Sequence, residues 1–259
     1  MLKTAVAVLA SVACLTAGTV VNGGFETGNL TGWTSIGTGT GAVGTQGNAV
    51  PPAGSYQGLI YSGQVPLSPT DVAAGTLETD LNLAAGAIAA SLPNNGSPTY
   101  GDAIYQTFSA TAGQTLSFTW NFITSEIIST NWDAALYTLE LNSNTAQATE
   151  LADTSESGLL TLAVGVSNPF YESSQGGMTG YYTVNIPISV TGNYTLGFIA
   201  MQTGDVSVSS GLYVDNVSLS GAGSVPEPSS WLLVGPVGLL FLGRRVAAYG
   251  WRLVSRAKV

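Results

Sequence analysis

The stretch Gln114–Thr124, QTLSFTWNFIT, alternates apolar and polar residues. Leu116, Phe118, Trp120 and Phe122 fall on one side of an extended chain, because successive side chains of a strand point to opposite faces. A period of two residues is typical of a β-strand with one buried face. The sequence therefore predicts a strand here, with Trp120 in a hydrophobic core.

The same alternation recurs on both sides of this stretch, in Ile104–Ala110, Ala134–Leu141, Leu159–Val166, Tyr181–Val190, Tyr194–Met201 and Leu212–Ser220. Turn residues separate these runs, and Gly192-Asn193 predicts a hairpin over Ile186–Ile199 because both residues tolerate positive φ. Many short strands joined by turns favour two packed sheets. We therefore expect residues 20–222 to form an all-β domain, a two-sheet antiparallel β-sandwich of jelly-roll type.

Two stretches depart from the strand pattern. Gly37–Gly54 is rich in small residues and is expected to be a loop with weak strand character. In Thr76–Leu92 the apolar residues are three or four apart, as in an amphipathic helix. The residues that set this spacing are Leu77, Leu81, Ala85, Ile88 and Leu92. The sequence predicts one short helix inserted in the sandwich.

The charge distribution excludes several classes of function. Only 8% of the 259 residues are charged, the chain has no histidine, and its one cysteine is Cys14. All 15 acidic residues and none of the six basic ones lie between Thr4 and Gly243. Such a domain cannot use a Ser-His-Asp triad or a histidine-ligated metal. Its negative potential also argues against nucleic acid as a partner.

The first residues predict export. Residues 1–19 combine Lys3, an apolar run and small residues, which together are typical of a secretory signal peptide. Cleavage after Ala17 would remove Cys14 with the peptide. The alternative is a lipidated Cys14, although the preceding Ser11–Ala13 matches the leucine-rich lipoprotein signal poorly.

The last residues predict a membrane segment. Residues 229–243 carry no charge and are followed by Arg244 and Arg245. A helix of this length is about 22 Å long, against a hydrocarbon core of about 30 Å. It spans if Trp231 lies at one interface and the two arginines extend to the other. We expect a single span with the arginines as its cytoplasmic stop and the domain outside. The alternative is a buried core helix that ends the domain.

Residues 223–259 resemble the PEP-CTERM sorting segment of Gram-negative bacteria. The motif Pro226-Glu227-Pro228, within residues 225–228, precedes the apolar helix 229–243 and the basic tail 244–259. The tail beyond the two arginines is longer than in that family. The resemblance implies export by the secretion machinery, transient anchoring in the cytoplasmic membrane and processing by exosortase. It also implies release to the cell surface or the extracellular matrix, where the family is associated with exopolysaccharide and biofilm.

Two motifs resemble the galactose-binding-like, carbohydrate-binding-module superfamily. Val21–Trp33, VNGGFETGNLTGW, is similar to its first strand and turn, and Leu212–Leu219, LYVDNVSL, to its closing strand. The resemblance implies a β-sandwich binding domain, with extracellular polysaccharide as a possible ligand. The expected function is that of a non-catalytic surface or matrix protein.

A structural calcium ion is the expected cofactor. Alternation in the closing strand puts Asp215 on one face with Tyr213, Val217 and Leu219, so its carboxylate should be partly buried. No basic side chain can pair with it there, which leaves backbone N–H groups or a cation, and oxygen ligands favour calcium. The resemblance implies that Glu26 and Asp215 bind the ion, with Gly24 offering a carbonyl. The alternative is a solvated Glu26 and an Asp215 that accepts only backbone hydrogen bonds.

Few other side chains suggest ligand binding or catalysis. Trp132 stands in a polar setting and is either a sugar-stacking platform or a loop residue folded over the sandwich edge. The alternative function is a secreted glycan-active hydrolase, which needs two carboxylates across a cleft. Glu126, Asp133 and Glu172 are the candidates for that role.

Overall fold

The computed structural model describes residues 18–63, 71–93, 96–124, 132–154, 160–161, 177–204 and 209–221. The predicted signal peptide up to residue 17 and the whole sorting segment lie outside these residues, as do Glu126 and Glu172. Within the described ranges, no helix is both long and apolar enough to cross a membrane.

The described strands form two antiparallel sheets, as the sequence predicted. The first sheet contains β1 (Thr34–Ile36), β4 (Val72–Ala73), β5 (Pro98–Ala110), β7 (Ala134–Leu141), β8 (Gln147–Asp153) and β12 (Gly192–Thr203). The second contains β2 (Thr40–Val43), β3 (Gln57–Tyr61), β6 (Thr115–Thr124), β9 (Leu160–Thr161), β10 (Gly177–Met178), β11 (Tyr182–Pro187) and β13 (Ser210–Ser220). The strand order of the first sheet is β1-β5-β12-β7-β8, and β4 pairs with β5. The strand order of the second sheet is β2-β3-β13-β6-β10-β9, and β11 pairs with β6.

The core lies between the two sheets. Leu116, Phe118, Trp120 and Phe122 of β6 are all buried in it, which confirms the prediction for this strand. Phe118 meets Phe198 of the opposite sheet edge-to-face, with ring centroids 4.9 Å apart. Aromatic contacts of this kind add to the stabilisation that burial alone provides.

The predicted hairpin over Ile186–Ile199 is wrong. β11 pairs with β6 in the second sheet, whereas β12 pairs with β5 and β7 in the first. Gly192 belongs to β12, where a Cβ would lie 2.6 Å from Oδ1 of Asn142. A side chain here would displace the Asn142 amide, whose oxygen accepts from the Asn193 N–H over 2.9 Å. The chain before Gly192 crosses from one sheet to the other.

Two helices replace the single predicted one, α1 (Ala74–Asp80) and α2 (Ala87–Ser91). Asn82 between them has φ +54°, which ends α1, and Leu83 forms a parallel bridge with Ala146. Four of the five apolar residues that set the spacing are buried, and Ala85 is exposed. The helices cover part of the outer face of the first sheet, where Leu77 and Ile88 join a cluster with Ile199.

The remaining expectations for the fold are met in part. Gly37–Gly54 contains β2 and an isolated bridge between Gln46 and Ala49, in keeping with weak strand character. Of the predicted strand Leu159–Val166, only Leu160 and Thr161 lie within the described residues, and both belong to β9.

Candidate functional site

The Asn-Gly-Gly-Phe-Glu motif forms a tight turn and not the strand that its resemblance implied, since the first strand begins at Thr34. The Phe25 N–H donates to the Asn22 carbonyl over 3.1 Å. Phe25 is fully buried and has φ +57°, a left-handed conformation that is costly for a bulky residue. It stacks on Trp33, which is also buried in the core, with ring centroids 5.4 Å apart. The surrounding packing holds this turn in a strained conformation.

The turn lies beside the closing strand. The Val217 N–H donates to the Gly23 carbonyl over 2.9 Å. A register shift follows Asp215, and Asn216 has φ +55°, so β13 contains a bulge here. Tyr213 packs in a cluster on the outer face of the second sheet, whereas Val217 joins the core between the sheets. The prediction that Asp215 shares a face with Val217 and Leu219 is therefore wrong, because the bulge resets the alternation.

The structure nevertheless brings Glu26, Asp215 and Gly24 together. A Cβ on Gly24 would lie 3.7 Å from Cγ of Glu26 and 3.8 Å from Oδ1 of Asp215. Glu26 is exposed, whereas Asp215 is fully buried. Both side chains thus lie against Gly24, and the Glu26 charge is close enough to act on Asp215.

Backbone N–H groups of one loop hold both carboxylates. The Ala53 N–H donates to Oδ2 of Asp215 over 3.2 Å, and the Ser55 N–H donates to both carboxylate oxygens of Glu26, at 3.0 and 2.9 Å. The Tyr56 N–H donates to Oε1 of Glu26 over 3.0 Å. Between these donors Gly54 has φ +64°, and a Cβ there would lie 2.2 Å from Cδ of Glu26, so another residue would be strained and would displace the Glu26 carboxylate.

The site is electrostatically negative. Burial raises the pKa of Asp215 to about 6, the N–H groups of Asn216 and Ala53 oppose this, and the charge of Glu26 adds to it. None of the described residues is basic, since no lysine or arginine occurs between Thr4 and Gly243. Within the described residues no group of three or more His, Cys, Asp or Glu side chains could hold a metal ion. A cation bound here would need backbone carbonyls or water to complete its shell.

The other predicted site residues lie elsewhere, at the end of the sandwich where β7 begins. Trp132 is half-buried, its indole nitrogen is out of solvent, and its carbonyl accepts a 2.6 Å bond from the Thr203 hydroxyl. Asp133 is buried, with Oδ2 accepting from the Ser62 hydroxyl over 2.9 Å and Oδ1 accepting from the Thr203 N–H over 3.3 Å. Its carboxylate thus bonds to the residue that follows β3 and to the last residue of β12.

A polar surface that the sequence analysis did not single out lies on the first sheet, beyond the part covered by the helices. We define the hydroxyl face as Thr107 and Ser109 of β5 with Asn193 and Thr195 of β12. The two threonine hydroxyls are 2.9 Å apart, and the Ser109 hydroxyl donates to Oδ1 of Asn193 over 2.8 Å. Thr107, Ser109 and Asn193 are exposed. Alternation marks these residues as polar, but it does not tell which polar faces remain uncovered after folding.

Comparison with known proteins finds likenesses among solved structures. No protein-family model and no curated protein matches the chain. The carbohydrate-binding module TmCBM61, solved with beta-1,4-galactotriose, aligns over 78% of this chain and 97% of its own, with 12% identity and TM-score 0.41. The enzymatically active domain of bacteriophage CBA120 tailspike protein 4 aligns over 78% of this chain and 21% of its own, with 13% identity and TM-score 0.36. The CBM22-1 and GH10 modules of Clostridium thermocellum xylanase 10B, complexed with xylohexaose, align over 83% of this chain and 30% of their own, with 14% identity and TM-score 0.33.

Proposed function

We propose that this chain is an exported, non-catalytic surface or matrix protein whose sandwich binds a neutral extracellular polysaccharide. The observation that carries the proposal is the hydroxyl face. Its hydroxyl and amide groups are uncharged and are held in place by bonds between neighbouring strands. Sugar hydroxyls both donate and accept hydrogen bonds, so they match such groups. Binding to side chains that are already ordered loses little conformational entropy.

The charge of the domain supports a neutral ligand. All 15 acidic residues lie between Thr4 and Gly243, and no basic residue does. An anionic polymer would be repelled, whereas a neutral glycan would not. The hydrolase alternative gains no support from Asp133, whose carboxylate is buried and bonded to Ser62 and Thr203.

Binding of the full-length protein to a panel of glycans, with and without calcium, tests the proposal. Thr107→Val and Thr195→Val each remove one hydroxyl at nearly constant shape. We expect about tenfold weaker binding for each, which is about 1.4 kcal/mol. Thr183→Val is the matched control, because the Thr183 hydroxyl also bonds across strands, to Thr119 over 3.2 Å, but in the second sheet. Failure to bind any glycan, or equal binding by all three variants, contradicts the proposal.

We further propose that the chain is exported, anchored in the cytoplasmic membrane and then released by exosortase. The order of Pro226-Glu227-Pro228, an uncharged apolar run and Arg244-Arg245 supports this. The last described strand ends at Ser220, so removal of the sorting segment would leave every described strand in place. Intact-mass measurement of protein recovered from the cell surface should show loss of the chain from about Trp231 onward. A surface species that retains the arginine tail contradicts processing.

A calcium ion at Glu26, Asp215 and the Gly24 carbonyl is the proposed cofactor. The support is a negative pair of carboxylates, one buried and one exposed, with no basic side chain among the described residues. Each carboxylate oxygen has two lone pairs, so an oxygen that accepts an N–H bond can also ligate a cation. A bound calcium would offset the repulsion between the two carboxylates and fasten the turn at Gly23 to the closing strand.

A further inference from the structure

Asp102 is a fully buried residue of β5, and its side chain is a carboxyl group. None of the described residues is basic. It pairs in register with Ala200 of β12. Strand alternation places it on the same face as Ile104, which lies in the core between the sheets. Its carboxyl group is thus inside the sandwich, near one end of the core.

The chain crosses from one sheet to the other around this group. β1 ends at Ile36 in the first sheet, and β2 begins at Thr40 in the second. Between them, the Gly39 N–H donates to Oδ2 of Asp102 over 2.5 Å. The Gly39 carbonyl accepts from the Tyr61 N–H over 2.8 Å. The crossover is therefore tied to β5 through the Asp102 carboxyl and to β3 through Tyr61.

The other carboxyl oxygen has no hydrogen-bond partner among the residues that the structure describes. Oδ1 of Asp102 is out of solvent and lies against Gly37, where a Cβ would be only 1.7 Å from it. Gly37 has φ +84°, so both its conformation and this contact require glycine. Because the Gly37 backbone lies so close to Oδ1, a proton fits at this oxygen. A cation would need several more oxygen ligands around it.

The surroundings disfavour a negative charge on Asp102. Among the described residues, the ionisable groups near it are Asp71, which adds repulsion, and Tyr61, whose own pKa is raised by burial. Residues 64–70, which precede Asp71, contain no ionisable side chain. Burial raises the pKa of Asp102 to about 7, with Asp71 adding to the effect and the Gly39 N–H opposing it.

We propose that Asp102 is a proton-dependent latch: the neutral carboxyl group holds the crossover between β1 and β2 closed, and loss of its proton loosens the crossover locally. An ionised Asp102 would leave one oxygen charged, buried and unbonded, which is costly. Opening of the Gly37–Gly39 turn lets water reach the carboxylate. The pH of the surroundings then sets how often the crossover opens.

Amide hydrogen exchange of the full-length protein between pH 5.5 and 8.5 tests the latch. Rates are expressed as protection factors, so that the ordinary base catalysis of exchange is removed. We expect the protection of the Gly39 and Tyr61 amides to be level below about pH 7 and to fall about tenfold per pH unit above it. The amide of Phe198, in the central strand β12, should stay protected throughout, because the opening is local.

Asp102→Asn keeps the shape of the side chain and removes its charge, so its protection factors should stay level over the whole range. Asp80→Asn is the control, since Asp80 is an exposed residue, and it should behave as the unaltered protein does. A level profile in the unaltered protein, or a parallel fall at Phe198, overturns the latch. If Asp102→Asn does not fold, a carbon-13 titration of the Asp102 carboxyl in the unaltered protein decides. A midpoint near 7 supports the latch, and one near the ordinary value of about 3.9 overturns it.

Discussion

Asp215 is the residue on which the candidate cation site most depends. It is fully buried beside Glu26 and Gly24, and its oxygens accept N–H bonds from Asn216 at 2.6 Å and Ala53 at 3.2 Å. Asp215 lies on the same side of β13 as Tyr213, and the bulge at Asn216 turns Val217 into the core. Val217, directly after the bulge, donates its N–H to the Gly23 carbonyl, and the turn that contains Glu26 therefore lies beside Asp215.

Removal of this charge should abolish the response to calcium. A ligand at one hundred times its Kd stabilises a folded protein by about 2.7 kcal/mol, so calcium should raise the Tm of the unaltered protein above its value in chelator. Asp215→Asn and Glu26→Gln should each lose most of that increase, and the exposed control Asp80→Asn should retain it. Thermal unfolding with calcium and with chelator measures the difference. A calcium response that survives in Asp215→Asn contradicts the site.

At the scale of elements, Glu78 of α1 organises the start of α2. Its Oε2 accepts from the Gly86 N–H over 2.8 Å, and its Oε1 accepts from the Ile88 N–H over 2.9 Å. The first N–H groups of a helix have no acceptor within the helix, and here the buried Glu78 carboxylate is their acceptor. Glu78 therefore fixes where α2 begins.

Glu78→Ala should destabilise the protein by about 1–3 kcal/mol, because it leaves these N–H groups without their charged acceptor. The matched control is Asp80→Ala, which removes an exposed carboxylate from the same helix and should change stability by less than about 0.5 kcal/mol. Urea unfolding measures both variants. Equal stability of the two variants would show that Glu78 does not hold α2.

The sequence predicts local periodicity well and the path between sheets poorly. The long strands β5, β6, β7, β12 and β13 were found from alternation, because the side chains of an extended chain alternate whatever its partners are. The shorter strands β3 and β8, which add Ile60 and Ala152 to the core, were not predicted. The apolar spacing in Thr76–Leu92 correctly predicted helix on both sides of Asn82. It did not predict the interruption between the two helices, where Leu83 forms a bridge to the distant Ala146. The sheet to which β12 belongs depends on partners far along the chain, which a turn motif such as Gly192-Asn193 does not specify. For the same reason, the meeting of Glu26 with Asp215 came only from a resemblance and not from spacing.

The whole molecule is unusual in that all charge of the sandwich has one sign. The six basic residues lie outside residues 4–243, and no histidine occurs. Most proteins gain a large positive charge in acid, and the repulsion contributes to their unfolding. Here, acid removes negative charge from the domain without creating positive charge on its side chains. Self-repulsion should therefore decrease as the pH falls.

We expect the free energy of unfolding, measured in chelator, to increase as the pH falls from 8 to about 4. Burial raises the pKa of Asp102 to about 7 and that of Asp215 to about 6, above the value of about 3.9 in an unfolded chain. A group whose pKa is raised on folding contributes its full stability below the unfolded value and loses it as the pH rises through the folded value. Both groups therefore favour the folded state in acid, most strongly below about pH 4. Urea unfolding midpoints at each pH test this, with Asp102→Asn expected to show a shallower dependence. A midpoint that decreases from pH 7 to pH 4 would contradict the account, because it would require groups that bind fewer protons in the folded state to outweigh these two carboxyls.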